Sequence, residues 1–147
     1  EHISFDNLSK LIKLSLLIKK QIIEYDEFES HTRQGLNYGH TVGHAIEALT
    51  SYRIPHGIAV CMGMLVVDDI FNCGNKKLEQ ACYPLLSKIS VADLDREELK
   101  RLLLKDKKTI GNVCNFIVLN KLGEIEFVKK EIDDDLVQRI QLILEKF

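Results

Sequence analysis

Residues 35–60 read GLNYGHTVGHAIEALTSYRIPHGIAV, and three of the chain's five histidines fall there, at His40, His44 and His56. Their neighbours are mostly small or apolar. A helix is expected from residue 37 or 38 to about residue 51. A second starts at Pro55, a position where the missing N–H costs nothing. His40 and His44 are spaced four residues apart, so on a helix they share one face. A short loop can then return His56 beside His40. Imidazole is the commonest side-chain ligand for zinc and similar ions, and a catalytic zinc has three protein ligands and an open position. Gly39 and Gly43 leave room for another backbone or a substrate to approach closely. Thr41 follows His40, so the run is not HExxH, which disfavours a zincin protease. Glu47 reads equally as a local third ligand or as a solvated helix residue. A histidine taken alone also reads as a hydrogen-bonded core residue.

The rest of the chain sets this run in a helical frame. Residues 5–26 carry apolar side chains at helical spacing, with Asp6 as the expected N-cap. Residues 30–36 read as an ordered loop. Residues 56–73 are apolar nearly all round, so this helix should be central and buried, ending at Gly74. Another helix is expected over 76–87, bent at Pro84, and one over 96–106 capped by Asp95. The pattern then turns β-branched and aromatic: NVCNFIVLN at 112–120 and GEIEFV at 123–128 read as a hairpin. Residues 133–147 close the chain as an amphipathic helix. The expected fold is mainly α: one multi-helix domain spanning 1–147, with a small β-hairpin near the C-terminus.

Composition narrows the function classes. The chain has 147 residues, 46% hydrophobic and 29% charged, with a formal net charge of -2. It has no run of Lys and Arg suited to a nucleic-acid backbone. No apolar run is long enough for a membrane span, and EHISFDN has no basic signal-peptide start. Cys61, Cys73, Cys82 and Cys114 form no CxxC pair and read as reduced core thiols of a cytoplasmic protein. Neither GxGxxG nor GxxxxGK[ST] occurs, so a main nucleotide-binding loop is not within these residues.

The longer run RQGLNYGHTVGHAIEALTSYRIPHGIAV resembles the signature of 3-dehydroquinate synthases, R-x-x-L-N-x-G-H-T-x-G-H-A-I-E followed downstream by H-G-E-A-V. Arg33, Leu36, Asn37, Gly39, His40, Thr41, Gly43, His44, Ala45, Ile46 and Glu47 fall on it. So do His56, Gly57, Ala59 and Val60. DEFES at 26–30 is similar to the family's acidic D-E-x-E segment, and Asp106, Lys107 and Lys108 to its D-K-K. Ile58 stands where the family has Glu. Related sugar-phosphate cyclases, those making valiolone or deoxy-inosose rings, vary at such positions.

The resemblance implies the C-terminal, helical half of a two-domain enzyme whose N-terminal Rossmann-like NAD domain lies outside this chain, leaving the 147 residues inactive alone. It implies a divalent metal, zinc or cobalt, on His40 and His56, with a third ligand, a Glu, outside the chain. His44 would contact substrate and move protons rather than ligate. Arg33 and Asn37 would hydrogen-bond the substrate's carboxylate and hydroxyls. Lys19 and Glu29 would be further substrate contacts, with Lys19 and Arg33 counted beside His44 in the catalytic set. Lys107, with Lys108 competing, would meet the phosphate. The implied reaction converts a seven-carbon keto-acid phosphate, 3-deoxy-D-arabino-heptulosonate 7-phosphate, to 3-dehydroquinate with phosphate release. It belongs to the shikimate pathway of aromatic amino acid biosynthesis. A homodimer is compatible with the full-length enzyme; nucleic acid and membrane are not expected partners. Two other readings stand beside this lyase: an iron-type polyol dehydrogenase, which stops after hydride transfer, and a non-catalytic metal- or protein-binding domain.

Overall fold

The computed structural model describes residues 4–30, 32–86, 89, 91, 94–121 and 124–147. They form two compact units, residues 1–36 and 37–147. In the first unit, α1 (Phe5–Tyr25) is capped by Ser4, whose hydroxyl accepts from the Asn7 amide. The expected cap, Asp6, lies instead in the first turn, where its charge suits the helix dipole. Leu8, Leu11, Ile12, Leu14 and Ile18 form an exposed apolar stripe, and no residue of α1 is buried.

The chain leaves α1 through a loop organised by one carboxylate. Asp26 is buried and accepts from the Ser30 amide at 2.8 Å, the Ser30 hydroxyl at 2.9 Å and the Arg33 amide at 3.0 Å. A 3-10 turn, Thr32–Asn37, follows. Removing the carboxylate orphans these donors, at a cost of about 1–3 kcal/mol for a buried polar group. Asp26→Ala should therefore abolish hydrogen-exchange protection at the Ser30 and Arg33 amides while leaving helix content near wild type.

The second unit is built round α3 (His56–Ile70), nine of whose residues are buried, Val66 and Met62 completely. It packs against α2 (His40–Leu49), α4 (Lys76–Leu86), α6 (Asp134–Leu144) and the sheet. The fifth helix, α5 (Arg96–Leu104), is capped by Asp95 as expected and packs on α2 and α6. Pro84 lies inside α4; the expected last residue of that helix, Ser87, lies outside the described residues. Ile46, Leu99, Leu103, Phe116, Leu136 and Ile140 fill the core. The four cysteines are free thiols, and burial pushes that of Cys82 up to about 12, which keeps it protonated.

The expected hairpin is part of a three-stranded antiparallel sheet, β1 (Thr109–Ile110), β2 (Val113–Lys121) and β3 (Glu124–Glu131), in the order β1-β2-β3. Cys114, Phe116 and Val118 face the core from β2. The extra strand is made by Gly111, whose φ of 65° folds Ile110 back onto Val113. No helix among the described residues is long and apolar enough to cross a membrane.

Candidate metal and substrate site

The glycines of the motif set the geometry. At Gly63 an added Cβ would lie 2.0 Å from the Gly39 carbonyl oxygen, and at Gly39 2.6 Å from the Met64 amide. At Gly43 it would meet the Val60 backbone at 3.1 Å. The backbones of α2 and α3 thus touch, and the partner the glycines admit is a helix. Gly39 also has φ 76°, which delays the start of α2 from the expected residue 37 or 38 to His40. Left-handed Ser51 and Tyr52 then reverse the chain, and Pro55 stands as N-cap of α3.

The result is a triangle of imidazoles. Ring centroids lie 5.4 Å apart for His40 and His44, 5.3 Å for His40 and His56, and 6.0 Å for His44 and His56. His40 Nδ1–H donates to the Tyr38 carbonyl oxygen at 3.2 Å. His56 Nδ1–H donates to Glu47 Oε2 at 3.0 Å. Both oxygens only accept, so each of these rings in its neutral form carries its proton on Nδ1. That leaves the Nε2 lone pair available, the form in which imidazole ligates a metal. His44 differs: its Nδ1 lies 3.8 Å from Asp106 Oδ2, too far for a hydrogen bond. His44, Glu47 and His56 each also offer a ligand atom within 4.8 Å of the other two. The donor set fits a divalent cation of the zinc or cobalt kind.

Partial burial holds the His40 pKa below the usual histidine range, helped by the nearby His44, His56 and Lys108, against the Tyr38 hydrogen bond. Folding therefore favours the neutral ring. That contribution is complete above the unfolded-state value of about 6.5 and is lost as pH falls through the folded value. Metal-free protein should consequently lose stability on acidification below that point, and His40→Gln should flatten this part of the profile, as read by denaturation midpoints.

The turn after α5 brings a second group to the triangle. Asp106 is nearly buried; its Oδ1 accepts from the Lys108 amide at 2.9 Å and pairs with Lys108 Nζ at 3.1 Å. Lys108, rather than Lys107, thus reaches the Asp106 carboxylate facing His44, while Lys107 is exposed. Asn37 belongs to the same unit as the histidines. Lys19, Glu29 and Arg33 belong to the first unit. There Lys19 lines a groove with Leu11, Leu14, Ser15, Ile18 and Leu36. The Arg33 guanidinium donates to the Glu27 carbonyl at 2.7 Å, and the Glu29 carbonyl, at a left-handed residue, accepts from Gln34. The roles of Glu47 at His56 and Asp106 beside His44 were not assigned by sequence; the carboxylate one turn from an HxxxH histidine was the available signal.

The profile described as 3-dehydroquinate synthase C-terminal matches residues 1–109. The 3-dehydroquinate synthase of Thermoanaerobacter pseudethanolicus is 38% identical over 136 residues, covering 86% of this chain and 38% of that protein. The enzyme of the same name from Thermococcus kodakarensis is 33% identical over 144 residues, covering 92% and 40%. The chain thus spans about two fifths of the length of these curated relatives. Among solved structures, a 2-deoxy-scyllo-inosose synthase superposes with TM-score 0.72 at 25% identity, covering 95% of this chain and 41% of that one. Another, complexed with carbaglucose-6-phosphate, NAD+ and Co2+, superposes with TM-score 0.76 at 21% identity over 98% and 42%.

Proposed function

The chain belongs to the 3-dehydroquinate synthase C-terminal family, and we propose that it is the metal- and substrate-binding half of an enzyme that closes a carbocycle from a sugar-acid phosphate. The observation that carries this reading is the imidazole triangle, with Nδ1 of His40 and of His56 each tied to an oxygen. The proposed substrate is 3-deoxy-D-arabino-heptulosonate 7-phosphate and the product 3-dehydroquinate, a cytoplasmic step of the shikimate pathway, with phosphate as leaving group.

His40, His56 and a carboxylate from outside these residues would hold a zinc or cobalt ion, which would supply Lewis acidity at a substrate hydroxyl; NAD, held mainly by the rest of the enzyme, would supply hydride chemistry. This chain's residues do the remaining work. His44 hydrogen-bonds a substrate oxygen and relays its proton. Lys108 meets the phosphate in preference to Lys107, because its ammonium is anchored beside the triangle by Asp106. By the same motif match, Arg33 and Asn37 are the proposed contacts to the substrate's carboxylate and hydroxyls, and Lys19 and Glu29 further proposed substrate contacts.

A second substrate has its own support. One superposed neighbour, at 25% identity, is a 2-deoxy-scyllo-inosose synthase, which makes the precursor of that ring the alternative. Ile58, packed against the core, is consistent with a relaxed choice between the two. Full-length protein carrying this chain, supplied with NAD and Co2+, should release phosphate from the seven-carbon keto-acid phosphate and give a cyclic product. Release from glucose 6-phosphate alone would move the assignment to the second substrate. Hydride transfer without phosphate release would favour the dehydrogenase reading. The 147 residues alone should release none.

A further inference from the structure

We infer that Glu47 is the positioning residue of this centre: it locks His56 in the Nδ1–H form and aims its Nε2 at the cation. The inference rests on the metal reading above and extends it to a residue with no role in that reading.

Glu47 lies on α2 and His56 is the first residue of α3, so the pair clamps the two helices across the turn at 50–55. The Glu47 side chain is 12% exposed, whereas that of His56 is 57% exposed. A ring so exposed has little packing to fix its rotation. The 3.0 Å bond to Glu47 Oε2 supplies that restraint. The carboxylate is itself seated by its backbone, whose carbonyl accepts from the Tyr52 amide at 2.7 Å at the left-handed turn. A carboxylate behind a ligating histidine fixes its tautomer and raises its basicity. His40 receives the same service from a backbone carbonyl, which cannot be removed by substitution. Glu47 is therefore the one of these two supports that mutation can test. Glu47 can alternatively ligate the ion directly, since one of its oxygens lies within 4.8 Å of ligand atoms of His44 and His56. The short bond to His56 Nδ1–H commits Oε2 to the supporting role.

The test is ring-nitrogen NMR of the 147-residue chain without metal, at a pH where His56 is neutral, together with Co2+ titration of the full-length protein, which carries the ligand from outside these residues. Wild type should show His56 protonated at Nδ1. Glu47→Ala should lose that preference and weaken Co2+ binding about 10–100-fold, the usual cost of losing such a support. Glu47→Gln, whose amide oxygen still accepts from Nδ1–H, should retain the tautomer. An unchanged tautomer and an affinity within twofold in Glu47→Ala would overturn the inference. So would an equally large loss of Co2+ affinity in both variants, with a changed ligand-field spectrum for the Co2+ still bound at saturation, which would make Glu47 a ligand. If wild type binds no Co2+ at its histidines, the metal reading fails separately, and the tautomer measurement decides the role of Glu47 alone.

Discussion

Replacing His40 or His56 with alanine should strip the divalent ion from the full-length enzyme and abolish turnover, while His44→Ala should keep the ion and lose turnover only. The two predicted ligands have Nδ1 occupied by the Tyr38 carbonyl and Glu47, which presents Nε2 as a lone pair. Deleting either ring removes a bond to the metal. Among the described residues His44 has no such fixed partner: Asp106 Oδ2 stands 3.8 Å away, and the ring is about half exposed. A loosely held ring suits a group that accepts and returns a proton, a contribution typically of about 10²–10⁴-fold in rate. Metal content and initial rates measured on the three variants separate these roles. Equal metal loss in all three would make His44 a ligand. Full activity in His44→Ala would leave it a bystander.

Gly63→Ala should part α2 from α3 and cost both stability and metal affinity. Its Cβ would lie 2.0 Å from the Gly39 carbonyl oxygen, 2.9 Å from the Gly43 amide and 3.0 Å from the Gly39 carbonyl carbon. All three are backbone atoms, so no side chain can swing aside and the helices must part. Overpacking of this kind costs about 1–3 kcal/mol, occasionally more, and the upper end is expected here. Parting α2 from α3 also pulls His40 and His44 away from His56. Metal affinity should therefore fall although no ligand is touched. Gly57→Ala is the control, since its added Cβ meets nothing within 4 Å. Urea unfolding and Co2+ titration should show both losses in Gly63→Ala and neither in Gly57→Ala.

Much of this arrangement is legible in the sequence. Helical spacing placed His40 and His44 on one face, Pro55 marked the start of α3, and an all-apolar run marked α3 as central. The all-round apolar pattern of α3 is what a helix touched on several sides requires. What escaped was conformational or too local. The start of α2 moved because Gly39 is left-handed, and nothing in residue type separates that state from ordinary helix. Strand β1 is two residues long, too short to show any alternation. Lys107 and Lys108 are adjacent in a turn, and only the turn's geometry decides which one reaches Asp106. Glu47 resisted assignment for a similar reason. Its partner His56 lies nine residues on, across a reversal set by two left-handed residues.

The most direct test of the account is anomalous diffraction at the cobalt edge from crystals of the full-length protein grown with Co2+. The account predicts one peak inside the imidazole triangle, about 2.0–2.1 Å from a ring nitrogen of His40 and of His56, with His44 outside bonding distance. A peak bonded to His44 and Glu47 in place of His40, or no peak between α2 and α3, would contradict it.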